Sequence, residues 1–248
     1  KEILTFVGFC RGKRNRVIIQ LQDLEKEYDA IFLGFGANIS RKMNIDGETL
    51  NGVYGGNELL EKNLHPDYKN KKVAVIGGGN VAMDTARTIK KLGANEVTVI
   101  YRRSEKEMPA EVHEIEEAKN EKIKFLFQTN PVKIIGENKV EKIECVKMEL
   151  KQKENETRLS PVEIPNSNFT IDLDYVVMAV GSKPESNILE KLNLELTDRG
   201  HIKIDKNNQT SNPKIFAGGD LAGAKGTVAW ASRSGRNAAY SIMNFLQK

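Results

Sequence analysis

Cysteine is nearly absent from this 248-residue chain: there are two, Cys10 and Cys145, with no CxxC spacing and no Cys/His cluster. A disulfide framework, a zinc site and a dithiol redox centre therefore all lack ligands. The same scarcity fits a reduced, cytoplasmic setting. Long apolar runs are missing too. "YVVMAV", from Tyr175, has the length of a buried strand and falls well short of the ~18 residues of a membrane span. With no signal-peptide pattern, the Asn-X-Ser/Thr triplets at Asn38, Asn155, Asn168 and Asn208 are expected to go unused. Nor is there a large excess of one charge. Lys and Arg number 38 against 34 Asp and Glu, and a net +4 is too small to argue for nucleic acid. The basic cluster Arg11, Lys13, Arg14 and Arg16 reads as a solvated end. Three histidines stand apart, at 65, 113 and 201, without the neighbours a metal ion needs.

What is present reads as a globular α/β chain, long enough for one large or two small domains with a core that needs no staple. "YDAIFLGFGAN", Tyr28 to Asn38, is an apolar strand ending in Gly34, Gly36 and Ala37. A looser Gly- and Asn-rich stretch follows, with one short helix predicted around Asn57 to Lys62. Then comes "KKVAVIGGGNVAMDTARTIKKLGANEVTVIYRR". Val73 to Ile76 is a near-continuous apolar run, as a strand covered on both faces requires. Asn80 to Leu92 has helical spacing, with Val81, Thr85, Thr88 and Leu92 as its predicted inner face, and Gly93 stops it. Glu96 to Tyr101 is a second strand, which completes a βαβ unit of about thirty residues.

"EVHEIEEAKNEK" is predicted as a charged amphipathic helix with Val112 and Ile115 inward. Three runs, starting at Ile123, Lys139 and Phe169, alternate over short spans and predict an antiparallel meander returning to a buried strand, Tyr175 to Val180. "KQKENETRLSPVEIPNSN" reads as an exposed loop, and "ILEKLNLELTDRGHIKIDKNNQTSNPKIFAGGD" as short strands and turns. The last stretch, from Gly226, is a helix whose small residues (Ala229, Ala231, Ser234, Gly235, Ala238) permit close packing.

Gly77-Gly78-Gly79-Asn80-Val81-Ala82 fits GxGxxA between a strand and a helix. In that setting Gly77 makes the tight turn and Gly79, lacking a side chain, admits a pyrophosphate to the backbone. Ala82 lets the helix pack on the strand, and the free N–H groups and dipole of the helix face the phosphates. Where the second strand ends, an NAD site often carries an acid for the ribose 2′-hydroxyl. This strand ends on Arg102 and Arg103, with no acid before Glu105. A guanidinium pair suits a 2′-phosphate, so NADP(H) is the expected nucleotide. The competing account makes one arginine a surface cap or salt bridge.

These motifs carry a family resemblance. The segment from Val73 to Ala110 resembles the NADPH-binding segment of the glutamate synthase small (beta) subunit, which groups with the pyridine nucleotide-disulfide oxidoreductases. "YDAIFLGFGAN" resembles that family's strand and glycine turn, which includes Gly36, and "KIFAGGDLAGAKGTVAWASRSGRNAA" its C-terminal FAD motif. The resemblance implies a Rossmann-like two-dinucleotide-binding-domain fold, α/β, with a parallel sheet and an antiparallel meander. It implies a partial FAD domain over 1–47, an inserted NADPH domain over 48–186 and a returning part of the FAD domain over 187–248. Gly77, Gly79, Asn80, Val81 and Ala82 would line the pyrophosphate and nicotinamide side. Arg102 and Arg103 would meet the 2′-phosphate, and Ala179, Val180 and Gly181 would close on the nucleotide from the returning strand. Gly219 and Asp220 would reach the FAD pyrophosphate and ribitol, although Asp220 alone reads as a turn residue. Gly226, Thr227 and Val228 would approach the flavin ring. "EKEMPA", with Met108 and Pro109, would border the NADPH pocket or form an ordinary proline turn.

The resemblance also implies the activity: NADPH passes a hydride to FAD, and electrons leave to a glutamate synthase large (alpha) subunit or another iron–sulfur or ferredoxin acceptor. No side chain need act as acid or base there. No glycine fingerprint precedes residue 77, and the family's cysteine-rich iron–sulfur segments are absent, so an N-terminally truncated chain is expected. A plain NADP(H)-binding module is the alternative, as is the ferredoxin:NADP oxidoreductase version of the same subunit. A thioredoxin-reductase-like enzyme is disfavoured by the missing CxxC.

Overall fold

A computed structural model describes residues 3–6, 21–152 and 159–247. Cys10 and the basic cluster Arg11 to Arg16 lie outside the described residues, as do positions 153–158 of the polar stretch. The chain forms two compact units, one made of 1–38 with 183–248 and the other of 39–182.

In chain order come β1 (Ile3–Phe6), α1 (Leu21–Glu27), β2 (Ala30–Leu33) and the two-residue β3 (Ile39–Ser40). Next are β4 (Val53–Gly55), α2 (Gly56–Lys62), β5 (Lys72–Ile76), α3 (Asn80–Lys91) and β6 (Glu96–Ile100). The chain continues through α4 (Val112–Asn120), β7 (Lys124–Leu126), β8 (Thr129–Ile135) and β9 (Lys142–Lys151). Then follow β10 (Ser160–Glu163), β11 (Phe169–Asp172), β12 (Tyr175–Met178) and the short β13 (Ser182–Lys183). The last elements are α5 (Ser186–Leu192), β14 (Ile215–Ala217) and α6 (Val228–Leu246).

The unit 39–182 is built on a five-stranded parallel sheet in the order β4-β12-β5-β6-β7. Successive strand residues face opposite sides, and both sides here are covered. Val73, Val75, Val97, Val99 and Val177 pack with Ala82, Met83, Ala86 and Ile89 of α3 and with Ile115 and Ala118 of α4. Ala74, Ile76, Ile100, Val176 and Met178 pack instead with Ile134, Ile143 and Cys145 of an antiparallel sheet formed by β8, β9, β10 and β11. Two-sided burial is the reason Val73 to Ile76 of β5 reads as an unbroken apolar run, while β6 carries the buried Thr98 among its apolar residues. The α/β reading with a parallel sheet and an antiparallel meander therefore holds, except that the first predicted meander run, from Ile123, splits: Lys124–Leu126 joins the parallel sheet as β7 and only β8 joins the antiparallel one. Burial pushes the Cys145 thiol up to about 12, so it behaves as a small apolar core residue.

In the other unit, β1, β2 and β14 form a parallel sheet in that order. Ile31, Leu33, Ile215 and Ala217 pack with Leu189, Ile202 and Leu221, whereas Ala30 and Phe216 pack with Ile242 of α6.

Four local expectations change. The inner face of α3 is Ala82, Met83, Thr85, Ala86 and Ile89; Val81 and Thr88 are only half-buried, and Leu92, past the helix end, is exposed. Alanines are favoured there because the helix lies close to the sheet. On α4, Ile115 and Ala118 are inward while Val112, in the first turn, is exposed. "SPVE" inside the predicted loop is β10, recruited by backbone pairing to β9 rather than by apolarity. "SNILEKL" is the helix α5, with Leu189 buried. The strand β1 and the helix α1 had no counterpart in the sequence reading.

Asp174 fixes where β12 begins. Its Oδ1 accepts from Lys71 Nζ at 3.0 Å and its Oδ2 from the Lys72 N–H at 2.9 Å, while its own N–H donates to the Lys72 carbonyl at 2.9 Å. These bonds set the register Tyr175 to Val73. Partial burial pushes the carboxyl up, but the Lys72 N–H and the Lys71 ammonium together outweigh it and hold the group below its ordinary range. A depressed carboxyl contributes stability above its unfolded pKa of about 3.9 and loses it as pH falls through the folded value. Asp174→Asn should therefore cost about 1 kcal/mol at pH 7, a figure discounted for an exposed pair. Urea midpoints for variant and wild type should converge as pH is taken below 4; a gap that stays constant with pH would remove the charge from this account.

Candidate functional site

The strand register puts Gly55, Met178, Ile76, Ile100 and Leu126 in one row across the parallel sheet. The residues that follow them (Gly56, Ala179, Gly77, Tyr101 and Phe127) leave the sheet along its carboxyl edge. The chain passes from β5 to β6 on one side, while β12 and β4 lie on the other. Strand order therefore reverses at β5, and open parallel sheets take ligands in the crevice outside such a point.

Three glycines occupy that point for three different reasons. Gly77 has φ +141°, and a Cβ on it would lie 2.2 Å from the Ala179 carbonyl oxygen. The turn is pinned there by Gly77 N–H to Ile100 O at 3.0 Å and Ala179 N–H to Ile76 O at 2.8 Å. Gly78 is bare because a Cβ would meet the Tyr101 ring at 2.7 Å. Gly79 differs from both. Its backbone is extended (φ −95°, ψ 179°), which any residue adopts, and the nearest atom to a Cβ would be Pro109 Cγ at 3.8 Å. Nothing among the described residues asks for glycine at 79. The open face, at the uncapped start of a twelve-residue helix, fits an anion approaching from outside.

Asn80 is exposed and its Oδ1 accepts the Glu111 N–H at 3.2 Å, so its side chain holds the following loop. Val81 is half-buried, and Ala82 is fully buried in the helix-side core, as close helix–strand packing requires. Arg102 is exposed. Arg103 is half-buried, and its Nε is buried with no hydrogen-bond partner among the described residues. A buried donor left unpaired is unfavourable, and an anion oxygen would satisfy it. Glu107 lies nearby in a capping turn; the Ser104 hydroxyl, helped by Arg103, holds its carboxyl below the usual range.

Ala179 is buried against the Gly77 turn, Val180 is exposed, and Gly181 (φ +123°) accepts the Arg41 N–H at 2.9 Å. The structure thus brings the Gly77–Ala82 turn, the arginine loop and Ala179 to one sheet edge. Sequence reading missed two supports of this site. One is Tyr101, which looked like the last strand residue. The other is Gly56, where a Cβ would stand 3.1 Å from Thr85 Oγ1 and 3.2 Å from Val81 Cγ1.

The remaining candidates belong to the other unit. Gly36 (φ +77°) has nothing within 4 Å of a Cβ. Gly219 (φ +65°) donates its N–H to Ser234 Oγ at 3.1 Å. Asp220 sits in a short helical turn, its carbonyl bonded to His201 Nδ1 at 3.0 Å, and its Oδ1 is buried with no partner among the described residues. Glu58, Glu114 and Glu121 each leave one buried carboxylate oxygen in the same condition among the described residues, so the turn-residue account of Asp220 stands beside one in which a ligand hydroxyl pairs it. Gly226 has φ +62°, Thr227 caps α6 by accepting the Trp230 N–H, and Val228 is 87% exposed.

Residues 7–238 match the pyridine nucleotide-disulphide oxidoreductase family. The chain belongs to that family. The NADP(+)-dependent formate dehydrogenase subunit beta of Moorella thermoacetica is 37% identical over 241 residues, covering 94% of this chain and 34% of that protein. Glutamate synthase [NADPH] small chains of Halomonas elongata and Escherichia coli are 35% and 34% identical, covering 97% and 100% of this chain. The chain spans 54% and 57% of those two proteins. The resemblance to glutamate synthase small subunits is therefore borne out. FprA of Mycobacterium tuberculosis, solved in complex with NADPH, shares the fold of this chain: its TM-score is 0.82 at 19% identity, covering 92% of this chain and 66% of that one. Among the described residues no helix is long and apolar enough to cross a membrane.

Proposed function

We propose that this chain is the nucleotide-handling part of an NADPH-dependent flavoprotein oxidoreductase of the glutamate synthase small-subunit kind. The observation that carries the reading is Gly79: a bare backbone that no packing among the described residues requires. The pyrophosphate would lie over Gly77–Gly79 at the start of α3, where the N–H groups and helix dipole favour negative charge. The unpaired Arg103 Nε and the exposed Arg102 would grip the 2′-phosphate. Ala179 would shape the crevice beside the turn, with Val180 and Gly181 following it.

In the unit 1–38 with 183–248, the orphaned Asp220 Oδ1 would accept from a ribitol hydroxyl of FAD. Gly36, Gly219 and the Gly226–Val228 stretch would let the flavin nucleotide approach backbone. When bound, NADPH would supply a hydride and FAD the means to pass electrons to an iron–sulfur acceptor such as a glutamate synthase large subunit or a ferredoxin. The chain's own work is to bind and orient, and no side chain is needed as an acid or base. Because the chain spans 54% and 57% of the glutamate synthase relatives, a second reading keeps NADP(H) binding here and leaves turnover to a longer protein.

Calorimetric titration with NADPH, NADH and FAD separately tests both readings. NADPH should bind at least about tenfold more tightly than NADH, since one charge-assisted contact is worth that much. Failure to bind NADPH would end the proposal, and NADPH binding without FAD binding would select the second reading.

A further inference from the structure

The glycine turn and the arginine loop are tied together by one side chain. The Tyr101 ring packs against Gly78 so closely that a Cβ there would touch two ring carbons at 2.7 Å. Its hydroxyl donates to the Glu107 carbonyl at 2.8 Å. The backbone on either side of Arg102 is already fixed to neighbouring segments: Tyr101 N–H donates to Leu126 O at 2.9 Å, and Arg103 O accepts the Gln128 N–H at 3.0 Å. The turn beyond Arg103 is held differently. Ser104 and Glu107 close on each other, and Ala110 N–H reaches back to Gly78 O at 3.1 Å. The Tyr101 hydroxyl ties the middle of this turn to the strand end. Glu107 is also the carboxylate that feels Arg103. The position of Glu107 thus bears on how the Arg103 guanidinium, whose Nε has no hydrogen-bond partner among the described residues, is presented.

We propose that Tyr101 is a positioning residue: its ring braces the glycine turn, its hydroxyl holds the Glu107 turn, and together they set the preference for the 2′-phosphorylated nucleotide. This rests on the reading that Arg102 and Arg103 meet the 2′-phosphate. Gly78 is then a glycine for the sake of Tyr101, while Gly79 is one for the sake of the ligand.

The test is Tyr101→Phe, which keeps the ring and removes the hydroxyl that donates to the Glu107 carbonyl. Its melting temperature should fall by no more than about 4 °C, its NADH affinity should stay within about twofold, and its NADPH affinity should fall about fivefold, the worth of one hydrogen bond. The same titrations are run on the Arg102→Ala/Arg103→Ala pair and on the triple variant. In the paired background Tyr101→Phe should change the NADPH-to-NADH ratio no further, because coupled residues are not additive. Equal loss of both nucleotides, or no loss, would make Tyr101 merely structural and overturn the proposal. If the arginine pair itself left the ratio unchanged, the 2′-phosphate reading would fall and this proposal with it. A changed ratio in the pair with an unchanged ratio in Tyr101→Phe would sink this proposal alone.

Discussion

Gly79→Val should leave the protein folded and unable to hold either nicotinamide nucleotide. The two halves of this expectation come from different observations. Folding survives because Gly79 already has an extended backbone and open space around its missing Cβ; β-branched residues accept such dihedrals. Binding fails because the valine methyls would fill the space over the first N–H groups of α3. Losing two charge-assisted hydrogen bonds from a pyrophosphate, at about 1.5–3 kcal/mol each, weakens binding by roughly 1,000-fold. The loss should be the same for NADPH and NADH, which share the pyrophosphate. Gly77 offers the control in the opposite sense. A side chain there meets the Ala179 carbonyl and must adopt φ +141°, so Gly77→Ala damages the fold itself. Circular dichroism melting followed by titration separates the two cases. A Gly79→Val protein that binds NADPH normally would take the glycine turn out of the reading.

Much of this was legible in the sequence, and the parts that were not share a physical cause. Val73 to Ile76 could be read as a strand because burial on two faces leaves no polar residue to interrupt the run. The strand–glycine–helix order then placed the turn, and the bare position at 79 follows from it. The helix face was misjudged because Ala82 and Ala86 bury little area, while Val81 and Leu92 look like better core residues. Met83 and Ile89 carry the apolar burial of that face, and the small alanines beside them allow the helix to pack on the sheet. β10 went unread for a related reason. It holds its place by ladder bonds to β9, and its Pro161 suits an outer strand with only one partner.

The triplet at 77–79 shows the limit most clearly. In sequence the three glycines are equivalent, and the motif assigns their roles by analogy. In the folded chain one answers to a carbonyl on β12's exit, one to the ring of Tyr101 and one to nothing present. Only the neighbours, more than twenty residues away for Tyr101 and about a hundred for Ala179, separate these reasons. The orphaned atoms at Arg103 and Asp220 are likewise invisible until burial is known.

Replacing Arg102 and Arg103 together by Ala should weaken NADPH binding by about 100-fold while changing NADH binding by no more than about threefold. The first figure takes two guanidinium–phosphate contacts at the lower end of charge-assisted strength, about 1.5 kcal/mol each. The second allows for the smaller general attraction of a positive loop for any dinucleotide, which salt screens within ~10 Å at 0.1 M. Arg103 should carry the larger share. Its Nε is already buried without a partner among the described residues, so a phosphate oxygen recovers an unmade hydrogen bond, whereas the exposed Arg102 must give up solvent contacts. Lysine at 103 should recover less than half of the binding free energy, since an ammonium keeps the charge but cannot present the planar fork. Raising the salt should narrow the gap between wild type and the double variant for NADPH and leave the NADH values nearly level. Equal losses for the two nucleotides would show that these arginines serve the fold or the pyrophosphate rather than the 2′-phosphate, and the expectation of NADP(H) would then lose the feature that separates it from NAD.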